Sequence, residues 1–170
     1  NLGNTVLALN YAIPGAEERG YPTIISANLK LPTGTRRDYF GDQSVDVGMS
    51  VTTAKRFGPI WAYFSPGVVY YSQDEIIGIA VRQWHFSNLT AVEYHPQGSR
   101  HSWIAQWMIE SPVAKDFSQF SDFTFELMFG YKYRINEKSV FEFGFLENLF
   151  YFDNSPDIGF HFGITRSLHF

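Results

Sequence analysis

The chain has 170 residues, carries a formal charge of −4, and contains no cysteine. That length supports one domain with a sizeable core. The missing thiols exclude disulfides and thiolate metal sites, and the acidic balance gives no basis for nucleic-acid binding. Aromatics are 18% and charged residues only 18%, against about 25% charged in ordinary soluble domains. No run of 18 apolar residues exists, so no transmembrane helix is expected.

In chain order, period-two segments recur between turn residues. Residues 5–13 set Leu7, Leu9, Tyr11 and Ile13 against Val6, Ala8, Asn10 and Ala12. Residues 23–31 set Ile25, Ala27, Leu29 and Leu31 against Ser26, Asn28 and Lys30. Residues 45–53 set Val45, Val47, Met49 and Val51 against Asp46, Gly48, Ser50 and Thr52. Residues 60–71 are apolar on both faces, and Ser65-Pro66-Gly67 within them predicts a bulge. Residues 74–84 suit either an amphipathic helix or a strand extended into a loop. Residues 86–95 alternate less regularly.

Residues 102–110 then set Trp103, Ala105, Trp107 and Ile109 against Ser102, Ile104, Gln106 and Met108. Residues 122–134 carry Phe123, Phe125, Leu127, Phe129, Tyr131 and Tyr133 on one face. The other face has Thr124, Glu126, Met128, Gly130, Lys132 and Arg134. After the turn Ile135-Asn136-Glu137-Lys138, residues 139–151 place Phe141, Phe143 and Phe145 opposite Glu142, Gly144 and Asn148. Glu147 falls on the phenylalanine face, so a bulge just before it or the strand's rim is expected there. The last segment, 158–170, alternates Ile158, Phe160, Phe162 and Ile164 with Gly159, His161, Gly163 and Thr165.

Nine strands follow, and their connections leave no room for crossover helices, so the fold is expected to be all-β, antiparallel and up-and-down. The Gly, Ser, Thr, Asn and Gln of one face suit a hydrated lumen. The ring-rich face suits lipid, and only a closed barrel satisfies every backbone group there. Links alternate in length: those near 14–20, 55–59, 95–99 and 135–138 are short, and those from 32, 71, 110 and 152 are mostly longer. Outer-membrane barrels show this alternation, with short turns on the periplasmic side.

Residues 158–170 resemble the carboxy-terminal assembly signal of bacterial outer-membrane proteins. Phe160, Phe162, Gly163, Ile164, Leu168 and the terminal Phe170 fit that signal, while Arg166 departs from it and is expected to snorkel. The resemblance implies the assembly machinery as a partner, with outer-membrane lipid and lipopolysaccharide around the barrel. Asn28-Leu29-Lys30-Leu31-Pro32-Thr33-Gly34 is similar to the KLPTG segment of porin-like proteins associated with phenol degradation. Residues 141–164 resemble the end of a related outer-membrane family known only as a domain of unknown function. Together these imply a barrel of about twelve strands, nearly twice this length, and no established substrate. Nine is odd while bacterial single-chain barrels are even. We therefore expect one domain that is the carboxy-terminal part of a ten- to twelve-stranded barrel. The alternative is an eight-stranded barrel that starts at Thr23.

The lumen-lining candidates are Lys30, Asp46, Gln106, Glu126, Lys132, Arg134, Glu142 and His161. They serve either a solute path or a salt-bridged plug, and their mixed signs argue against strong ion selectivity. The expected lipid-facing belt is Trp103, Trp107, Tyr131, Tyr133 and Tyr151, together with Trp61 and Tyr63. The acidic loop residues Asp38, Asp42, Asp74, Glu75, Asp116, Asp122, Asp153 and Asp157 read as solvated charge rather than cation bridges to lipid. Arg36 and Arg37 could meet lipid phosphates.

The histidines lack metal spacing. His161 and His169 share a face but stand about 26 Å apart along a strand. No cofactor, metal or catalytic residue is expected. A passive channel for small solutes leads, followed by a closed structural or partner-binding barrel with an unidentified protein partner. A lipid-modifying enzyme built from Asp74, Glu75, His85 and Ser87 comes third.

Overall fold

The computed structural model describes residues 3–34, 44–76, 78–116, 121–147 and 158–167. Its regular elements are eleven strands: β1 (Thr5–Ala12), β2 (Thr23–Leu31), β3 (Asp46–Phe57), β4 (Ile60–Tyr70), β5 (Glu75–Ile76), β6 (Ile79–Ala80), β7 (Trp84–Tyr94), β8 (His101–Glu110), β9 (Thr124–Asn136), β10 (Ser139–Glu147) and β11 (Ile158–Arg166). Nine form one sheet in the order β1-β2-β3-β4-β7-β8-β9-β10-β11, and every neighbouring pair is antiparallel. Apart from β5 and β6, which form their own two-stranded sheet between β4 and β7, sequence neighbours are sheet neighbours, as an up-and-down fold requires. Among the described residues β1 and β11 are the two edges, with no ladder between them.

The turns explain this order. Residues 58–59 and 137–138 make two-residue hairpins, and Gly58 supplies the left-handed conformation at φ 61°. Gly98, at φ 73°, does the same within 95–100. These links share one end of the sheet with 13–22. β2, β4 and β8 end at the other, where the longer links that follow them begin.

Register carries the alternation across the whole sheet. Phe57, Ile60, Tyr94, Trp103, Tyr131, Phe143 and Phe162 are successive partners across seven strands. On the opposite face Trp61, Glu93, Ile104, Gly130, Gly144 and His161 form the equivalent row. The first face is exposed despite being apolar: Leu9 is 70% exposed, Phe162 66% and Ile164 72%. The buried residues are small or polar: Ala54, Ala91, Ser44, Asp46, His85 and Ser102. This reverses the ordinary distribution, in which large apolar side chains lie inside.

Two local expectations are corrected, the Pro66 bulge and the faces of Trp61 and Tyr63, and two open alternatives are decided. Pro66 makes no bulge. β4 pairs with β7 without interruption, and the β3 ladder lapses between Ser50↔Gly67 and Thr53↔Phe64 but resumes in the same register. Proline removes a donor without adding a residue, and Thr52 and Ser65 hydroxyls bridge the gap at 2.7 Å. Residues 74–84 form no helix: β5 and β6 make a small hairpin, Gly78 turning it at φ 80°. Trp61 and Tyr63 do not belong to the apolar belt. They alternate with Ile60, Ala62 and Phe64, and so join the polar face. The irregularity of β10 sits at Ser139/Val140, beside the tight turn, rather than before Glu147. Glu147 is the last residue of β10, which is the rim alternative. Tyr151, Leu168 and Phe170 lie outside the described residues.

The apolar face is organised by depth. Near the short turns Tyr94 stacks on Trp103 at 6.0 Å, and the His101 ring packs on Tyr133 at 5.1 Å. His101 Nδ1 lies 2.6 Å from the Tyr131 hydroxyl. Near the long links Tyr70 meets Trp84 at 5.0 Å. Phenylalanines lie between, with Phe143–Phe162 at 5.1 Å and Phe145–Phe160 at 5.7 Å. Tyr, Trp and His rings thus flank a phenylalanine-rich middle. Polar residues interrupt this face at Thr53, Lys55 and Thr90 and at Asn88, whose amide donates to Thr90 Oγ1 at 3.1 Å.

Candidate functional site

The polar face is the candidate site, because it collects the ionisable side chains. Ladder register places all eight lumen candidates on it: Lys30 on β2, Asp46 on β3, Gln106 on β8, Glu126, Lys132 and Arg134 on β9, Glu142 on β10 and His161 on β11. The structure joins few of them directly. Lys30 pairs with Asp46. Lys132 and Glu142 are cross-strand partners, and Glu142 sits beside Gly163, the partner of its own position on β11. His161 is opposite Gly144, which leaves the imidazole room: a Cβ at Gly144 would stand 3.5 Å from His161 Cβ.

Two polar clusters form at opposite ends. Toward the long links, Asp46 is 5% exposed and Ser44 1%. Besides Lys30, the Asp46 carboxylate accepts from Ser44 Oγ at 3.0 Å and from the Ser72 backbone N–H at 3.3 Å. Tyr71 stands beside this cluster. Burial, reinforced by the Asp46 and Glu110 carboxylates, raises its hydroxyl above the ordinary phenol pKa, and Lys30 opposes the rise. Above them the links 71–83 and 111–116 are joined by backbone. Arg82 N–H donates to Val113 O at 2.7 Å and Lys115 N–H to Ala80 O at 2.9 Å. Val81 and Ala114 are buried at the junction.

His85 lies under this junction, 7% exposed. Its neighbours are not Ser87, Asp74 or Glu75. Ser111 Oγ stands 3.4 Å from Nδ1 and Glu110 Oε1 3.9 Å from Nε2. Ser111 Oγ also accepts the Phe86 N–H at 2.8 Å. Both histidine separations exceed the roughly 2.6–3.2 Å reach of a working nucleophile–base pair. The trio therefore reads as a hydrogen-bonded support for the loop junction. Ser87 is elsewhere, its hydroxyl against the space above Gly67.

Toward the short turns, Glu93 is the centre. Tyr63 donates to it at 3.1 Å, and Lys132 reaches it at 3.9 Å across the intervening β8. Glu93 and Glu110 were missed because residues 86–95 read as irregular and 110 fell at a strand end. The alternation of Val92, Glu93 and Tyr94 was the available signal. Among the described residues no three His, Cys, Asp or Glu side chains are grouped to hold a metal ion.

A nine-stranded antiparallel sheet with one exposed apolar face and one polar, ion-paired face is now in view. The DUF3187 profile, which describes a protein of unknown function, aligns with residues 3–168. The chain belongs to the DUF3187 family. No curated protein matches it. For a DUF3187 chain the family assignment adds no chemistry, so the residues themselves must supply it.

Proposed function

We propose that this DUF3187 chain forms the wall of a bacterial outer-membrane β-barrel that passes small solutes, with its polar face lining the path. The observation that carries this reading is the exposed apolar face bracketed by aromatic rows. From Trp84 to Tyr94 along β7 there are ten residue steps, about 33 Å of strand. At the tilt of about 35–45° usual in such barrels, that spans about 25 Å, the height of their apolar band. On this reading lipid and lipopolysaccharide cover the apolar face, and β11 is the strand the assembly machinery recognises. The polar face offers pairing and hydration rather than a reaction centre, so no enzyme is proposed.

One observation favours a second reading, a closed structural or partner-binding barrel. The Lys30–Asp46 and Lys132–Glu93 pairs neutralise charges that a selective path would present. Planar-bilayer recording on the full-length gene product decides between them. Stepwise conductance is expected; a folded, inserted protein that never conducts removes the channel and leaves the closed barrel.

A further inference from the structure

We propose that Arg100 and Arg134 form a phosphate-binding site at the short-turn end of the polar face. Arg134 lies near the end of β9 and Arg100 immediately precedes β8. The Arg134 N–H donates to Arg100 O at 2.8 Å. This continues the His101↔Tyr133 ladder by one more pair and sets the two arginines directly opposite each other. Like charges so placed destabilise a sheet unless something neutralises them. Among the described residues neither guanidinium has a carboxylate within ion-pair distance.

Both arginines line one cleft of about 420 Å³, with His95, Ser99, Asn136 and Glu137. Glu137 lines it without pairing with either arginine. His95 is held by Ser102 Oγ, 2.8 Å from Nδ1. Two arginines lining one cleft suit the oxygens of a phosphate, since each guanidinium can donate two hydrogen bonds. Lys138 and Arg166 border a second cleft along the same rim, which extends the positive field. Both signs occur at each end of this face, with Lys30 beside Asp46 at the long links and Glu93 and Glu137 near the short turns. Asp46, Glu110 and Glu126 lie toward the long links, and Arg100 and Arg134 lie at the short-turn mouth.

The phosphate could belong to a soluble phosphorylated molecule or to a lipid headgroup. Assignment to the soluble class rests on the barrel reading, which puts lipid on the other face. Phosphate binding itself does not rest on it. Calorimetric titration of the full-length protein in zwitterionic detergent with inorganic phosphate tests the site without any conductance. Saturable binding is expected. R100Q/R134Q should weaken it at least tenfold, and R100K/R134K should lose less. Undetectable binding to the wild type, or equal binding to the glutamine pair, overturns the proposal. Heat-modifiable gel migration confirms that each variant is folded. Repeating the titration in vesicles separates the sources. Phosphate binding that survives phosphatidylglycerol supports the soluble class. Binding competed away by phosphatidylglycerol, but not by phosphatidylcholine, supports the headgroup.

Discussion

Asp46 shows how this sheet tolerates charge. It is almost wholly buried, yet a cation, a hydroxyl and a backbone N–H surround its carboxylate. Removing one partner of a buried pair costs roughly 3–5 kcal/mol when both are fully enclosed. Lys30 is partly exposed, so Asp46→Ala is expected to cost about 2–3 kcal/mol. Urea unfolding of the protein refolded in lipid vesicles measures it; a change below about 0.5 kcal/mol, the range of ordinary surface sites, would show that the cluster is not structural. The pair itself was only half legible. Alternation put Lys30 and Asp46 on one face, but their meeting needed the β2–β3 register, in which they are the last partners. Glu93 was harder, because its partners come from β4 and β9, on either side of it in the sheet.

For single strands, the two faces of β11 make a sharp comparison. Phe162 packs on Phe143 and is exposed on its outer side, whereas His161 faces Gly144 on the polar side. A lysine on the lipid face near mid-depth costs about 2–4 kcal/mol, while polar-face substitutions are mild. Phe162→Lys should therefore lower the unfolding free energy by about that much and His161→Lys by under about 1 kcal/mol, read by the same urea unfolding. Equal losses would mean that lipid does not cover the phenylalanine face. The strand itself was readable because Ile158, Phe160, Phe162 and Ile164 keep period two without a break. β4 was not, because Pro66, Gly67 and the ring-bearing Trp61 and Tyr63 obscure which face is polar. Its side-chain directions follow from β3 and β7, which hold it on both sides.

At the scale of the molecule, the chain exposes large apolar side chains and buries small polar ones, and on the proposed barrel reading lipid covers that apolar face. The tryptophans can report that surround directly. Trp84, Trp103 and Trp107 lie on the apolar face, and Trp61 lies on the other. In single-tryptophan variants refolded into brominated phospholipid, fluorescence from Trp103 and Trp107 is expected to be strongly quenched and that from Trp61 to be little changed. Comparable quenching at Trp61 would contradict the orientation of the sheet in the bilayer.

Period two was enough to assign the two faces and the all-β, up-and-down class. Side chains of a strand must alternate, and short links leave antiparallel pairing as the only course. Neighbourhood across strands is another matter. It depends on register, which turn lengths and the shift at Ser139 set and which alternation does not encode. That is why Trp61 and Tyr63 changed faces, why Ser111 rather than Ser87 stands beside His85, and why Arg100 came to lie opposite Arg134.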